Sequence, residues 1–282
     1  MLRLVGGGSG PRYLDLAMMK QLIGWSTRYV PRHHLHRLSH LFLTLISPLY
    51  RGDEVEDPIS GKSYRKFLPY GRLQTRENAL SLSLSLERHR LMWLYLKLRT
   101  DFFSKRARVL HIAPEYCFIR PFRAMKNLDY VTADLNSPWA DVHMDAHEMP
   151  FADDSFDVIF CNHVLEHVAD DKKVLAELFR VMRPGGWGLF QVPIDTNLER
   201  SHGDPSITNP RERERLYGQS DHVRQYGLDF EEIVRSVGFD VEVDALVNEL
   251  PPEDVQRYAL PAGEMLYIAR KPAEKQSTAT SN

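Results

Sequence analysis

From residue 107 to residue 192 the chain alternates short apolar runs with helical stretches, and no other feature restricts the fold as much. Residues 108–112, 128–133, 141–144, 156–161 and 187–192 read as strands. Residues 118–125 read as a helix, with Pro121 tolerable only in its first turn. Residues 170–182 form an amphipathic pattern with Val174, Leu175, Leu178, Phe179 and Met182 on one side. That helix is expected to stop at Arg183-Pro184-Gly185-Gly186. Such a βα series predicts an α/β, doubly wound fold, a mostly parallel sheet covered by helices on both faces. A helix near 228–237 and strands at 240–243 and 264–271 follow.

The rest of the chain surrounds this unit. With 282 residues, 43% of them apolar, there is ample material for a core without disulfide or metal staples. Cys117 and Cys161 are the only cysteines, which excludes a disulfide framework and suits a reducing, cytoplasmic compartment. No secretory signal or spanning helix is expected. The net charge of −2 conceals a split: residues 1–51 carry +6 and the remainder −8. Residues 1–50 therefore form a basic arm, with helical stretches at 12–30 and 34–50 separated by Pro31. In the second stretch Leu35, Leu38, Leu41, Phe42, Leu45 and Ile46 make one apolar stripe flanked by Arg32, Arg37 and Arg51. Such a helix either lies in a membrane interface, making residues 12–50 a peripheral contact, or packs on the protein body. Residues 51–82 read as irregular and turn-rich. Ser85 reads as the cap of an apolar, buried helix with Glu87 in its first turn. The expected division is an arm at 1–50, a substrate-side or packing element at 51–103, the α/β domain at 104–272, and a disordered tail at 273–282. Residues 195–225 form a long polar segment of the kind that is usually functional or mobile.

In open α/β sheets, ligands bind outside the carboxyl ends of the strands. Those ends read His111-Ile112-Ala113-Pro114-Glu115, Ala133-Asp134-Leu135, Met144-Asp145-Ala146 and Cys161-Asn162-His163. Three of the four carry an acid, which suits a cation bearing ribose hydroxyls and an amine better than a phosphate. The unit also lacks GxGxxG and GxxxxGK[ST], and Pro114 removes an N–H from the first turn. An acid ending a strand is also often a turn former, so the set of acids matters more than any one of them.

The stretches DAHEMPFADDSFDVI from Asp145, HVLEHV from His163 and RPGG from Arg183 together resemble class I S-adenosylmethionine-dependent methyltransferases, the type 11-like group acting on small molecules. The resemblance covers about residues 107–194. It implies a Rossmann-like seven-stranded sheet with an antiparallel last strand, and S-adenosylmethionine as cofactor. His111, Ala113, Pro114 and Glu115 would then meet the methionine part, departing from the family's glycine-rich turn. Asp134 and Leu135 would meet the ribose side, Asp145 and Ala146 the adenine, and Asn162 and His163 the mouth of methyl transfer. DPISGKSYRKFLPYG, RENAL, SLERHRLMWLYLK and YGQSDHVRQYG resemble a bacterial methyltransferase subfamily over about residues 50–240. Some relatives carry Cys pairs near Asp57, Ser60, Leu80 and Ser83, like a small zinc ribbon. None of the four is Cys here, so no zinc is expected.

Methyl transfer needs a base only when the acceptor must lose a proton. His163, Glu166 and His167 stand at i, i+3 and i+4, hence on one helical face, and are the candidate catalytic groups. Their alternative role is to fix the start of a helix. The three positions also resemble the metal-binding trio of quinone-pathway O-methyltransferases. A His in place of the first carboxylate disfavours magnesium, and no metal is expected. His222, Arg224 and Tyr226 are candidate substrate-side groups, or else parts of a solvated loop. Cys161, ending a buried strand, reads as an inert core residue. The expected activity is methyl transfer to a small-molecule acceptor, at oxygen. The alternative is an S-adenosylmethionine-binding scaffold of weak activity docked at a membrane. The body's negative balance and the lack of an Asn/Asp-Pro-Pro-Tyr/Phe motif argue against a nucleic-acid partner.

Overall fold

The computed structural model describes residues 41–71 and 75–273. The helix expected at 12–30, most of the arm and residues 274–282 of the tail lie outside the described residues. The chain divides into two units, residues 1–48 and 49–282. In the first, residues 41–46 are helical, Leu43 is buried, and Leu41, Phe42 and Leu45 are exposed. Among the described residues no helix is long and apolar enough to cross a membrane.

The second unit opens with two antiparallel hairpins where the sequence predicts irregular chain. They pair β1 (Arg51–Asp57) with β2 (Lys62–Tyr64), and β3 (Leu68–Tyr70) with β4 (Arg76–Leu80). The strands are short and largely exposed, so they carry no apolar alternation to read. A buried polar cluster ties the hairpins together. Asp57 Oδ2 accepts from the hydroxyls of Ser60 (3.2 Å) and Ser81 (3.0 Å). Ser83 and Ser85 extend the cluster through Ser60 and Ser81. Ser85, read as a helix cap, serves this cluster instead. Helix α1 (Glu87–Arg99) begins two residues later, and the His89 ring accepts the N–H of Leu86 at 3.1 Å.

The elements that follow are β5 (Ala107–Ile112), α2 (Tyr116–Ala124), β6 (Leu128–Asp134), β7 (Val142–His143), β8 (Phe156–Asn162), α3 (Asp171–Val181) and β9 (Met182–Gln191). Next come β10 (His202–Gly203), α4 (Pro210–Tyr217), β11 (Arg224–Gln225), α5 (Phe230–Arg235), β12 (Asp240–Asp244), α6 (Leu246–Glu249), α7 (Pro252–Arg257) and β13 (Leu266–Arg270). The long polar segment thus holds a helix and a small β10–β11 ladder. Seven strands form one sheet in the order β12-β13-β9-β8-β5-β6-β7. Strands β5 to β9 pair in parallel, and β13 runs antiparallel to both β9 and β12. This is the Rossmann-like sheet with an antiparallel late strand.

Two further readings differ from the structure. Pro121 lies inside α2, beyond its first turn. Arg183-Pro184-Gly185-Gly186 does not separate helix from strand. Strand β9 begins at Met182 and runs through it, and the pairing with β8 jumps from Phe156↔Met182 to Val158↔Trp187. The extra residues form a bulge. Arg183 pins it with two 2.8 Å bonds to the Asp157 carboxylate, and Gly185 N–H donates to Lys271 O. Further along, Gly188 is required for close approach, since a Cβ there would meet Ile159 O at 2.4 Å.

The core has two layers, one on each face of the sheet. One packs Val174, Leu175 and Leu178 of α3 and Phe230 and Val234 of α5 against Ile159, Cys161 and Phe190. The other packs α1, α2 and Leu246 against Val109, Val158 and Phe160. Strand β5 is central, with β6 on one side and β8 on the other. The chain reverses direction of winding there, which opens a crevice at the carboxyl ends of these strands.

Candidate active site

Each strand end in that crevice delivers its residue by a specific local device. After β5 the backbone turns at Ala113, whose φ of 48° is a left-handed value costly for any residue with a Cβ. Ala113 N–H donates to Ala133 O at 2.8 Å, which fastens this turn to the end of β6. Glu115 stands at the N-cap position of α2 without bonding its N–H groups, and its carboxylate turns back to His111 of β5. His111, fully buried, pairs with it: Nε2–H donates to Glu115 Oε2 at 2.5 Å, while Nδ1 lies 2.8 Å from the Tyr130 hydroxyl. Burial pushes the Tyr130 phenol far up, so it stays protonated. For Glu115, burial opposes ionisation, but the adjacent His111 overrides it, aided by His89 and Arg88, and holds the carboxyl at about 2.

Asp134 ends β6. Its Oδ1 accepts from the N–H groups of Asn136 (2.7 Å) and Ser137 (2.6 Å), the turn-forming role, and Oδ2 is uncommitted among the described residues. Leu135 beside it is exposed. Asp145 follows β7 and accepts from His147 N–H (2.9 Å) and Nδ1–H (2.6 Å); these bonds lower its pKa. Ala146 packs on the core below.

After β8, Asn162 donates to Glu115 Oε1 at 3.2 Å and to the Met92 sulfur at 3.4 Å. His163 takes a left-handed φ of 54°, and its N–H is fixed on Gln191 O at 2.7 Å. Its Nδ1 lies 3.2 Å from Oε1 of the buried Glu166. His167 Nδ1 lies 3.2 Å from Asp221 O. His222 is buried, with Nδ1 3.1 Å from Tyr217 O, and burial lowers its pKa. The structure therefore brings together His111, Ala113, Glu115, Asn162, His163, Glu166, His167 and His222. Arg224 and Tyr226 are committed to the protein. The Arg224 guanidinium donates to the carbonyls of Leu165 (2.6 Å), Val168 (2.7 Å) and Ala169 (2.9 Å), and the Tyr226 hydroxyl donates to Asp171 at 2.8 Å.

Among the described residues, eight buried side-chain nitrogen or oxygen atoms have no hydrogen-bond partner, and six of them belong to Arg88, His89, Asn162, His163, Glu166 and His222. Native interiors rarely leave such atoms unpaired, so their convergence marks a place built for a ligand. Arg88 and His89 come from α1 and went unnoticed in the sequence. The signal was present, as the basic run Arg88-His89-Arg90 at the start of a helix that is apolar through its middle. Glu264, just before β13, is a further neighbour: burial raises its carboxyl, against the opposing charges of His163 and Arg88.

Residues 122–190 match the family model described as a methyltransferase domain. This chain carries a class I S-adenosylmethionine-dependent methyltransferase domain. A "probable S-adenosylmethionine-dependent methyltransferase" of Mycolicibacterium smegmatis is 31% identical to the chain over 127 residues, covering 43% of this chain and 45% of the relative. The ubiquinone/menaquinone biosynthesis C-methyltransferase UbiE of Vibrio campbellii is 31% identical over 126 residues, covering 43% and 47%. The chain thus spans just under half the length of the curated relatives it matches. An S-adenosylmethionine-dependent methyltransferase of known structure from Archaeoglobus fulgidus aligns with a TM-score of 0.42 at 17% identity, covering 64% of this chain and 93% of that one. The matched residues include Asp134, Asp145, Asn162 and His163, whereas His111, Ala113 and Glu115 precede them.

Proposed function

We propose that the protein transfers a methyl group from S-adenosylmethionine to a small hydroxylated acceptor, at the acceptor oxygen, with His163 taking the proton. The convergence of unpaired buried polar atoms on a crevice ringed by Glu115, Asp134 and Asp145 carries this reading. The residues fit the cofactor: three acids suit a cationic ligand, and the uncommitted Oδ2 of Asp134 suits ribose hydroxyls. Asp145 and the Ala146 N–H would receive the adenine edge, beside the exposed Leu135. Ala113, Pro114 and Glu115 would hold the methionine end. When bound, S-adenosylmethionine supplies a methyl group on a good leaving group, so much of the catalysis is positioning.

His163 Nδ1–H donates to the Glu166 carboxylate, which fixes the tautomer and leaves Nε2 as a lone pair. A buried carboxylate behind an imidazole orients it and stabilises its protonated form, as a general base requires. His167 is a second imidazole on the same turn. Arg224 acts by holding that turn, through the carbonyls of residues 165, 168 and 169. Because the Vibrio relative is named a C-methyltransferase, methylation at carbon of a deprotonated acceptor is the second reading.

Calorimetric titration with S-adenosylmethionine tests the cofactor assignment. Saturable binding is expected, weakened roughly 10- to 100-fold by Asp134→Ala. A folded protein that gives no heat of binding removes the proposal. A panel of phenolic and enolic acceptors, with the methyl group traced by carbon-13 NMR, separates oxygen from carbon.

The reading includes a peripheral membrane contact through residues 12–50. The exposed side chains of Leu41, Phe42 and Leu45 and the +6 charge of residues 1–51 support it. The full chain should float with vesicles containing anionic lipid, and a chain lacking residues 1–50 should not. Equal flotation of the two would rule the contact out.

A further inference from the structure

The turn after β8 and the segment before β11 place three ligand-type side chains together. Glu166, His167 and His222 each offer one donor atom, and these atoms all lie within 4.8 Å of one another. Residues 166 and 222 are far apart in sequence, so this grouping exists only in the fold. It also differs from the His163, Glu166 and His167 trio suggested by the sequence, since His163 is turned to Glu166 Oε1 and the third donor is His222.

The protonation pattern of the group follows from its other contacts. A carbonyl oxygen only accepts, so His222 must carry its proton on Nδ1, which faces Tyr217 O at 3.1 Å. Its Nε2 is then a lone pair, buried and without a partner. His167 likewise faces Asp221 O through Nδ1 at 3.2 Å, leaving Nε2 as a lone pair. Glu166 Oε2 is buried and without a partner too. Each of the three residues thus keeps an uncommitted lone pair, and one donor atom of each lies in the same small volume. Neighbouring acceptors repel one another unless a cation or a donor stands among them.

We propose that Glu166, His167 and His222 form a divalent transition-metal site on the acceptor side of the crevice. A backbone carbonyl receiving the second ring N–H is the usual support of a metal-ligating histidine, and both histidines have one. The scaffold is clamped from both sides. Val223 N–H donates to Glu166 O at 2.9 Å, and Arg224 binds the carbonyls of residues 165, 168 and 169. Donors of a four-coordinate site lie roughly 3.4 Å apart, so the side chains close by no more than about 1.5 Å. Two imidazoles and one carboxylate suit zinc, iron, cobalt or manganese, whereas magnesium and calcium prefer all-oxygen sites. Three protein ligands leave a coordination position open, and His167, the most exposed of the three, borders it. The metal binding rests on the side-chain geometry alone. Its role, to draw the acceptor oxygen into place and favour loss of its proton, rests on the methyl-transfer reading above.

The test uses the untagged full chain, treated with chelator and titrated with cobalt(II). Expected is saturation at one equivalent with visible d–d absorption, displacement by zinc(II), and indifference to excess magnesium. His222→Gln and His167→Gln should each weaken cobalt binding at least tenfold, with thermal melts confirming the fold. His167 is more than a third exposed, so its replacement keeps the test open if the His222 variant does not fold. No saturable cobalt signal in the parent chain overturns the proposal, as does equal binding by folded variants. Calorimetry with S-adenosylmethionine on the same samples separates the two readings. Cobalt binding without S-adenosylmethionine binding refutes methyl transfer and keeps the metal, and the reverse refutes the metal.

Discussion

Arg90→Ala is expected to lower the unfolding free energy by about 4 kcal/mol and the melting temperature by about 10 °C. Arg90 is among the largest fully buried side chains of the described chain. Its guanidinium donates to Tyr258 O (2.6 Å), Ala259 O (2.8 Å), Ala79 O (3.1 Å), Ser85 O (3.1 Å) and Asn78 O (3.4 Å). It also lies over the Phe67 ring, 4.6 Å from the centroid. One side chain on α1 therefore holds the β3–β4 hairpin, the serine turn before α1 and the end of α7. Burial pulls its pKa down to about 10, which still leaves it charged at neutral pH. Removing it orphans several buried carbonyls at once, each costing about 1–3 kcal/mol if water does not enter, so 4 kcal/mol presumes partial hydration. Arg90→Lys should restore less than half of the loss, because an ammonium cannot reach carbonyls on both sides of a planar fork. Urea unfolding of both variants checks this. A loss below about 1 kcal/mol for the alanine variant would show that the carbonyls find other partners.

Arg90 also illustrates what the sequence conceals. Strands β5 and β8 were readable to within a residue or two because they are mostly buried and present mainly apolar runs. The acids at 115, 134 and 145 were readable because a strand end is a local feature. The hairpins at 51–80 were not, since Asp57 meets Ser81 across 24 residues through hydroxyl contacts that leave no periodic trace. The bulge at Arg183-Pro184-Gly185-Gly186 has the composition of a loop; only its bonds to Asp157 and Lys271 keep it within β9. The helix α1 read as a packing element because its apolar residues dominate. Its polar residues serve distant partners: Arg90 the carbonyls at 258 and 259, and His89 the carboxylate of Glu115, 3.9 Å away. His222 was singled out, but joining it to Glu166 and His167 needed the fold, because the contact spans more than 50 residues.

Glu115→Gln is expected to cost about 3 kcal/mol at pH 7, and almost none of that near pH 2. The carboxyl is held at about 2 in the folded chain, against an ordinary value of 4.5. A carboxylate whose folded pKa is depressed contributes stability that is fully present above its unfolded value. That stability is lost as pH falls from 4.5 through the folded value, because the unfolded chain takes up the proton first. The window for Glu115 is therefore pH 4.5 down to 2. A shift of that size corresponds to about 3 kcal/mol by linkage. The glutamine variant keeps an oxygen to accept the His111 Nε2–H and keeps the Tyr130 bond to Nδ1, so packing changes little. What it loses is the charge that faces His111, His89 and Arg88, together with the second oxygen that accepts from Asn162. Urea unfolding between pH 3 and 7 should give a parental curve that falls more steeply than the variant's below pH 4.5, with the two converging toward the acid end. A constant gap across that range would mean that Glu115 stabilises the turn through hydrogen bonds and shape alone, and that the crevice floor carries no titrating charge in this window. Convergence would instead establish an anionic floor beneath the turn after β5, the condition under which a turn without glycines can still attract a cationic ligand.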